Sequence, residues 1–462
     1  MIARAALLLG GALVLAGCSL APDYQRPAIA APASYKEIGP WQPAGTAVLP
    51  AGTWWQAFND PALDALEEKI EAGNFDLAAA SARYQEALGA VRQARGDLFP
   101  QVGVAAGAER DRLSAARPLG QGRSATYNDV TLGASATWEL DLFGRVRNEI
   151  AAGTANAKAA AFDVDGIRLG LQAQLAATYF DLRGLDARIV LLRQTVDSYQ
   201  RAFDLTDTRH SGGIASGIDV SRAQNLLSTA KAELSAVAIS RQQDEHAIAI
   251  LIGEAPSGFS IPVADQQMVP PAIPVGVPST LLERRPDIAA AERRVAAANA
   301  QIGVARAALF PTISLGGVGG FEATNGNLLS APNAFWALGP LQAALSIFDG
   351  GRRAAGVKIA RAQYDEAAAN YRETVLTAFR EVEDDLAAER FLVTQQKDQD
   401  DATRAAEKTR DLALTRYRDG AADYLEVTTA QTAALDAERA LLEIRTRQLS
   451  TAVDLARAIG GS

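Results

Sequence analysis

The sequence predicts a mainly α-helical protein with a membrane β-barrel, built from a duplicated helix–strand–strand–helix–helix unit. Three observations predict this fold. The chain repeats itself, apolar and polar residues alternate over short stretches, and apolar residues recur at 4-3 spacing over long ones. The alternating stretches are candidate strands, and the 4-3 stretches are candidate coiled-coil helices.

Residues 1–17 have the layout of a secretory signal peptide. Arg4 supplies a positive charge, and residues 5–16 form an apolar run shorter than the ~20 residues of a spanning helix. The run leads into Cys18, the only cysteine of the chain, and LAGC is similar to the lipobox at which bacterial lipoproteins are acylated. An incidental cysteine after an ordinary signal peptide is the alternative. We predict a signal peptide over residues 1–17 and a lipidated N-terminal segment over residues 18–58.

The rest of the chain contains an internal duplication. Residues 76–100 and 287–311 share an Asp, an Ala triplet, two arginines and a terminal Leu-Phe-Pro in register. The repeated unit spans about 200 residues, which is far longer than a solenoid repeat. We predict repeat 1 over residues 59–258 and repeat 2 over residues 279–462, joined by a Pro- and Gly-rich linker over residues 259–278.

Each repeat contains stretches that alternate at period two. In residues 129–142 the apolar side consists of Val130, Leu132, Ala134, Ala136, Trp138, Leu140 and Leu142. Residues 311–321 and 341–348 show the pattern more weakly, with Leu341, Ala343, Leu345 and Ile347 on the apolar side. A water-soluble sheet and a transmembrane barrel both alternate in this way, and the signal peptide favours the barrel. Residues 111–128 and 322–334 are predicted as external loops.

Long helices follow the strands. The first has an apolar seam at strict 4-3 spacing, formed by Leu171, Leu175, Thr178, Leu182, Leu185, Ile189, Leu192, Val196, Tyr199 and Phe203. It is predicted over residues 145–206, or ~90 Å at the α-helical rise. The other helices are predicted over residues 219–252, 352–417 and 424–459, with turns at residues 211–213 and 419–420.

Four strands from one chain leave two exposed edges, which the bilayer core does not tolerate. Several copies must therefore pool their strands, and a trimer would supply twelve. The helices are expected to continue the barrel as a long periplasmic α-helical barrel.

Charge and composition argue against several other functions. The formal net charge is −9, so nucleic acid is not an expected partner. The two histidines are isolated, so neither a metal site nor a cofactor is predicted. Carboxylate pairs such as Glu139/Asp141 and Asp384/Asp385 lack any catalytic context, and the protein is not expected to be an enzyme.

Several motifs together carry a family resemblance. They are CSLAPDYQRP, WELDLFGR (residues 138–145), IFDGGRR (residues 347–353) and LLERRPDIAAAERRVAAANAQIGVARAALFPTISL (residues 281–315). The chain resembles the outer-membrane efflux lipoproteins of the TolC/OprM/NodT family, the outer membrane factors of tripartite efflux systems. The resemblance covers essentially the whole mature chain.

This resemblance implies a homotrimer in the outer membrane, tethered to lipid at Cys18. It also implies a periplasmic adaptor (membrane fusion) protein and an inner-membrane pump, most often of the resistance-nodulation-division type. The expected function is the exit duct for drugs or other small molecules. A type I secretion duct and a periplasmic coiled-coil scaffold lipoprotein are the alternatives.

The turns between the helices are the candidate functional site, because related proteins close a gate and meet the adaptor there. Gly213 and Gly420 are turn glycines, and Asp219 and Glu426 occupy equivalent positions in the two repeats. In a trimer they would form a ring of six carboxylates, although both would also serve as helix-start acids. Leu425 would supply an apolar constriction. Related gates often carry an Asp and an Arg where this chain has Thr429 and Thr432, so an ionic lock is not expected there.

Overall fold

The computed structural model describes residues 19–37, 52–116, 122–264, 269–273, 278–324 and 327–461. The predicted signal peptide and Cys18 lie outside these residues. The helices are α1 (Pro61–Gly73), α2 (Phe75–Gly96), α3 (Arg145–Ser211), α4 (Gly217–Leu251), α5 (Pro278–Arg284), α6 (Pro286–Ala307), α7 (Arg352–Arg418) and α8 (Tyr424–Ala458). The strands are β1 (Gln101–Leu113), β2 (Ala125–Leu140), β3 (Thr312–Ala323) and β4 (Ala334–Ala344). The described chain is therefore mainly helical.

The two halves have the same order of helices and strands, and three of their four helices match in length. Helices α2 and α6 each have 22 residues, α3 and α7 each have 67, and α4 and α8 each have 35. Helix α3 continues beyond the predicted end at residue 206 to Ser211, and the chain turns at Gly213, which has a positive φ. Helix α4 begins at Gly217, two residues before the predicted start.

The strands form one antiparallel sheet in the order β1-β2-β3-β4. Its register includes the row Val102–Ala136–Gly317–Leu338, which crosses all four strands. Residues paired directly across an antiparallel sheet lie on the same face. The face that carries this row, here called the apolar face, includes Val102, Val104, Ala106, Ala108, Val130, Leu132, Ala134, Ala136, Trp138, Leu140, Ile313, Leu315, Gly317, Gly319, Phe321, Ala323, Ala334, Trp336, Leu338, Leu341 and Ala343. Its polar members, Arg110, Arg112, Thr126 and Asn128, lie at the end of β1 and the start of β2.

The opposite face of the sheet, here called the polar face, has mainly small and polar side chains, together with apolar ones such as Val318 and Phe335. Its members include Gln101, Gly107, Glu109, Asp129, Thr131, Ser135, Thr137, Glu139, Ser314, Glu322 and Gln342. The period-two alternation read from residues 129–142 is confirmed up to Leu140, where β2 ends.

Several predicted limits of the strands and loops were wrong. Strands β1 and β2 extend into the predicted loop 111–128, and β3 and β4 extend into the predicted loop 322–334. Strand β4 spans Ala334–Ala344 instead of residues 341–348. Leu345 and Ile347 therefore lie outside the strand. The cause is a bulge, in which Gly339 and Pro340 lie opposite the single residue Gly316. The bulge shifts the apolar positions of β4 from even to odd numbers, so the alternation before it is concealed.

Every member of the predicted seam of α3 is buried or half-buried, which confirms that seam. Ile189 and Leu192 pack with Val237 of α4 and Leu435 of α8. Among the described helices, none is both long and apolar enough to cross a membrane.

The chain divides into two compact units, each taking segments from both halves. The first contains the sheet and consists of Ala82–Ala161, Ala290–Arg372 and the described residues up to Ala28. The second consists of the described residues within Ile29–Ser81, Phe162–Ala289 and Glu373–Ser462, and it contains both helical hairpins, α3–α4 and α7–α8. The predicted repeat boundaries at residues 258 and 279 remain a prediction.

In the first unit, residues 19–28 are held by hydrogen bonds to the helices. Ser19 Oγ donates to Asn148 Oδ1 of α3 at 2.9 Å, and Arg306 Nη1 donates to the Leu20 carbonyl at 3.0 Å. The hydroxyl of Tyr24 donates to the carboxylate of Glu292. The start of the described chain is therefore fixed close to the first turn of α3.

Candidate functional site at the ends of the helical hairpins

The first hairpin turn lies between α3 and α4. Gly213 has a φ of 76°, which a side chain rarely adopts, and Ile214 N donates back to the Arg209 carbonyl at 2.8 Å. Helix α4 then begins with a capping box. Asp219 N donates to Ser216 Oγ at 3.2 Å, and Asp219 Oδ2 accepts from Ser216 N at 3.2 Å. The Asp219 carboxylate therefore already has hydrogen-bond partners at the start of its own helix.

The second hairpin turn, between α7 and α8, has the same design with different partners. Gly420 also has a φ of 76°, and Ala421 N donates to the Arg416 carbonyl at 2.8 Å. Asp423 caps α8 by accepting from Glu426 N at 3.0 Å. The Glu426 carboxylate accepts from Arg416 Nη1 at 2.8 Å, so this acid closes its turn through an ion pair.

The two hairpin ends pack against each other through aromatic rings. The guanidinium carbon of Arg209 lies 4.7 Å from the centroid of the Tyr417 ring, and Arg209 Nη1 donates to the Tyr417 carbonyl at 2.5 Å. The Tyr417 hydroxyl donates to Thr206 Oγ1 at 3.4 Å. Tyr417 and Tyr424 meet edge to face at 5.2 Å, and burial raises the pKa of the Tyr424 phenol to about 12. These contacts hold the two hairpins together at their ends.

A groove of about 510 Å³ lies between α4 and α8 next to these turns. It is lined by Arg222, Asn225, Leu226, Thr428, Thr429, Thr432, Ala433 and Asp436. The hydroxyl of Thr429 donates to the Leu425 carbonyl and that of Thr432 to the Thr428 carbonyl, both at 2.9 Å. Both threonines therefore bond within their own helix, and neither makes an ion pair.

The structure places all five predicted aperture residues, Gly213, Asp219, Gly420, Leu425 and Glu426, at the two turns and adds others that sequence reasoning missed. Leu425 is 48% exposed at the start of α8, beside Glu426. The missed residues are Arg209, Arg416 and Tyr417. A signal for the arginines was present, since Thr-Arg occurs at residues 208–209 and again at residues 415–416. No group of three or more potential metal-ligating side chains occurs in the part of the chain that the structure describes.

An apolar-faced antiparallel sheet, long coiled-coil helices and paired hairpin ends define a class of outer-membrane channel. The sequence matches the family model described as outer membrane efflux protein over residues 66–254 and 277–461, and the chain belongs to this family. It is an efflux channel of the outer membrane.

Individual relatives agree with this assignment. The antibiotic efflux pump outer membrane protein ArpC of Pseudomonas putida is 35% identical over 459 residues, covering 97% of this chain and 94% of ArpC. Outer membrane protein OprJ of Pseudomonas aeruginosa is 35% identical over 454 residues, with the same coverage of 97% and 94%. The solved structure of the outer-membrane channel OprN superposes with a TM-score of 0.89 at 31% identity, covering 96% of this chain and 99% of OprN. These relatives are channel proteins.

Proposed function

We propose that three copies of this chain form one duct through the outer membrane, with a shared twelve-stranded barrel. The observation that supports this most strongly is the sheet, which has one largely apolar face and two edge strands, β1 and β4. Unpaired backbone groups cannot lie in hydrocarbon, so one sheet of four strands is not stable there by itself. When the strands of three copies pair into one closed barrel, no unpaired edge remains.

In this assembly the apolar face contacts lipid and the polar face lines the lumen. Lipid-facing and lumen-facing residues alternate along the strands of membrane barrels, as they do here. The polar face carries Glu109, Asp129 and Glu322, whereas the arginines of β1, Arg110 and Arg112, fall on the opposite side. The lumen is therefore polar and acidic near the strand ends that lie away from the helices.

The helices continue the duct in the periplasm. Helix α3 begins five residues after β2 ends, and Arg145 at its start donates to both carboxylate oxygens of Glu139, each at 2.8 Å. The matching helix lengths of the two halves support a duplicated unit, repeat 1 over residues 59–258 and repeat 2 over residues 279–462. Three copies would contribute six hairpins to one helical barrel.

The lipid tether is Cys18. Ser19, its neighbour, is bonded to Asn148 in the first turn of α3, just after the strand-to-helix junction. That position suits an acyl chain in the periplasmic leaflet, where each buried CH₂ adds about 0.8 kcal/mol. Metabolic palmitate labelling should be lost in Cys18→Ser, and labelling that persists would contradict the tether.

The hairpin ends form the periplasmic aperture, where the periplasmic adaptor and an inner-membrane pump of the resistance-nodulation-division type supply substrate. Asp219 and Glu426 would line it with carboxylates, and Leu425 would narrow it. The cargo is small molecules, including antibiotics, because ArpC carries that function in its name. A type I secretion duct would share the barrel but use a different pump.

Single-channel recording of the purified protein in planar bilayers tests the proposal. A duct should give discrete conductance steps, whereas a periplasmic scaffold lipoprotein would give none. Protein that binds vesicles through its lipid but never conducts, even after the aperture contacts are removed, would contradict the proposed function.

A further inference from the structure

The free edges of the sheet, β1 and β4, can be matched to each other residue by residue. This inference rests on the proposed trimer, in which β4 of one copy meets β1 of the next. Strand β4 has 11 residues and β1 has 13, and the two run antiparallel in the sheet. The edges are therefore compatible in length and direction, and only their register is undetermined.

The apolar face limits the register. On β1 this face carries even-numbered residues throughout, whereas on β4 it changes from Leu338 to Leu341 across the bulge. Apolar side chains of both edges can meet lipid only if one β1 residue lies opposite both Gly339 and Pro340. That residue must belong to the polar face. Glu109 and Asp111 are excluded because they would set Arg110 or Arg112 opposite Leu338, and Gln101 because Leu341 would then lie opposite Pro100, outside β1. Gly103, Ala105 and Gly107 remain.

The other side of the bulge shows that a small residue fits at this position. There the opposing residue is Gly316, and a Cβ built on it would lie 3.4 Å from the Gly339 carbonyl oxygen, which is an ordinary van der Waals contact. Glycine and alanine are therefore both accepted opposite the bulge, and Gly103, Ala105 and Gly107 all meet this requirement.

Barrel geometry separates these three residues. The row that begins at Val102 ends at Leu338, and it returns to the next copy at Val104, Ala106 or Ala108 if Gly103, Ala105 or Gly107, respectively, faces the bulge. These choices shift the row by 2, 4 or 6 residues per copy, hence by about 6, about 12 or about 18 around three copies. With strands about 4.8 Å apart and a rise of about 3.3 Å, twelve strands would tilt by about 19°, about 35° or about 46°. Membrane barrels tilt by about 35–45°, which excludes Gly103 and leaves Ala105 and Gly107.

We propose that β4 of each copy pairs with β1 of the next with Gly107 opposite the Gly339–Pro340 bulge and Ala108 opposite Leu338. Of the two remaining choices only this register sets Arg110 opposite Trp336, and it sets Ala106 opposite Leu341. Trp336 is 83% exposed in the isolated chain, and a guanidinium over its ring would give Arg110 a partner on the apolar face.

Cysteine pairs test the register directly. Leu338→Cys is combined in turn with Ala108→Cys, Ala106→Cys and Val104→Cys, and membranes are oxidised before a non-reducing gel. Directly opposed Cβ atoms lie about 4.5–5.5 Å apart, whereas a shift of two residues separates them by about 7–8 Å. Since a disulfide needs about 3.5–4.5 Å between Cβ atoms, Ala108→Cys with Leu338→Cys should give about tenfold more cross-linked dimer and trimer than either alternative. The single-cysteine variants give the background, and native mass under reducing conditions reports assembly of each double variant.

Each outcome has one interpretation. Strongest cross-linking with Ala106→Cys or Val104→Cys would overturn this register and leave the shared barrel intact. Three-chain particles without cross-links in any pair would overturn pairing between β1 and β4. Single-chain particles of the unmodified protein would instead contradict the proposed trimer itself.

Discussion

Arg209 of α3 lies over the ring of Tyr417 of α7, with 4.7 Å between the guanidinium carbon and the ring centroid. The same side chain donates to the Tyr417 carbonyl, at the last turn of α7. The two hairpins of one chain are thus joined at their ends by a side chain from one and both the ring and the backbone of the other. Separation of the ends requires that this contact break.

Loss of this contact should loosen the aperture. A cation–π contact contributes about 0.5–2 kcal/mol, so Arg209→Leu should raise the resting conductance of reconstituted channels. Arg201→Leu, at an exposed position on the same helix, is the matched control and should leave conductance unchanged. Equal conductance in the two variants would show that the contact does not restrain the closed state.

Neutralising the aperture acids should weaken the preference for cations. Asp219→Asn combined with Glu426→Gln removes up to six carboxylates from a trimer. The reversal potential in planar bilayers should therefore move toward the value of a channel without ion preference. Trimer content should be little affected, because helix-start acids contribute only about 0.3–1 kcal/mol each. Leu425→Ala should raise conductance without changing selectivity. Unchanged selectivity of the doubly neutralised trimer would leave both acids with only their local contacts at the helix starts.

Glu67 should make the protein less stable as pH rises. Its carboxylate is buried in α1, and neither oxygen has a hydrogen-bond partner among the residues that the structure describes. Burial, with a smaller contribution from Asp64, raises its pKa from 4.5 to about 9. Because the pKa of Glu67 is higher in the folded protein, its contribution to the free energy of unfolding is fully present below pH 4.5. That contribution is lost as pH rises toward 9.

Glu67→Gln should therefore stabilise the protein at pH 7.5 by on the order of 3 kcal/mol, and should flatten the dependence of melting temperature on pH. Glu68→Gln, at an exposed position of the same helix, should leave the dependence unchanged. A wild-type melting temperature that stays constant between pH 5 and 9 would show that Glu67 has an unrecognised partner.

The two faces of the sheet should respond differently to charge. Ala136→Arg puts a guanidinium on the apolar face and should cost about 2–4 kcal/mol near the bilayer midplane, reducing insertion into the outer membrane. Ser135→Arg places the same side chain on the polar face, where the lumen should accept it. Equal insertion of both variants, measured as membrane-extracted protein, would contradict the assignment of lipid and lumen faces.

The sequence was informative where one physical requirement controls many residues. The seam from Leu171 to Phe203 predicted α3 because each buried position recurs at a fixed spacing. Strand β4 was misplaced because the bulge at Gly339–Pro340 reverses the alternation within it. Contacts such as Ser19–Asn148 and Arg209–Tyr417 join residues more than a hundred positions apart through single polar groups. Such contacts leave no periodic pattern in the sequence, so they could not be predicted from it.

The number of chains in the assembled particle tests the shared barrel most directly. Native mass measurement of detergent-extracted protein, with circular dichroism on the same sample, should report three chains and full strand content. The reason is that one sheet with two open edges cannot remain in a hydrophobic environment. A stable single chain that keeps all of its strand content would contradict the account, because four strands would then have hidden their own edges.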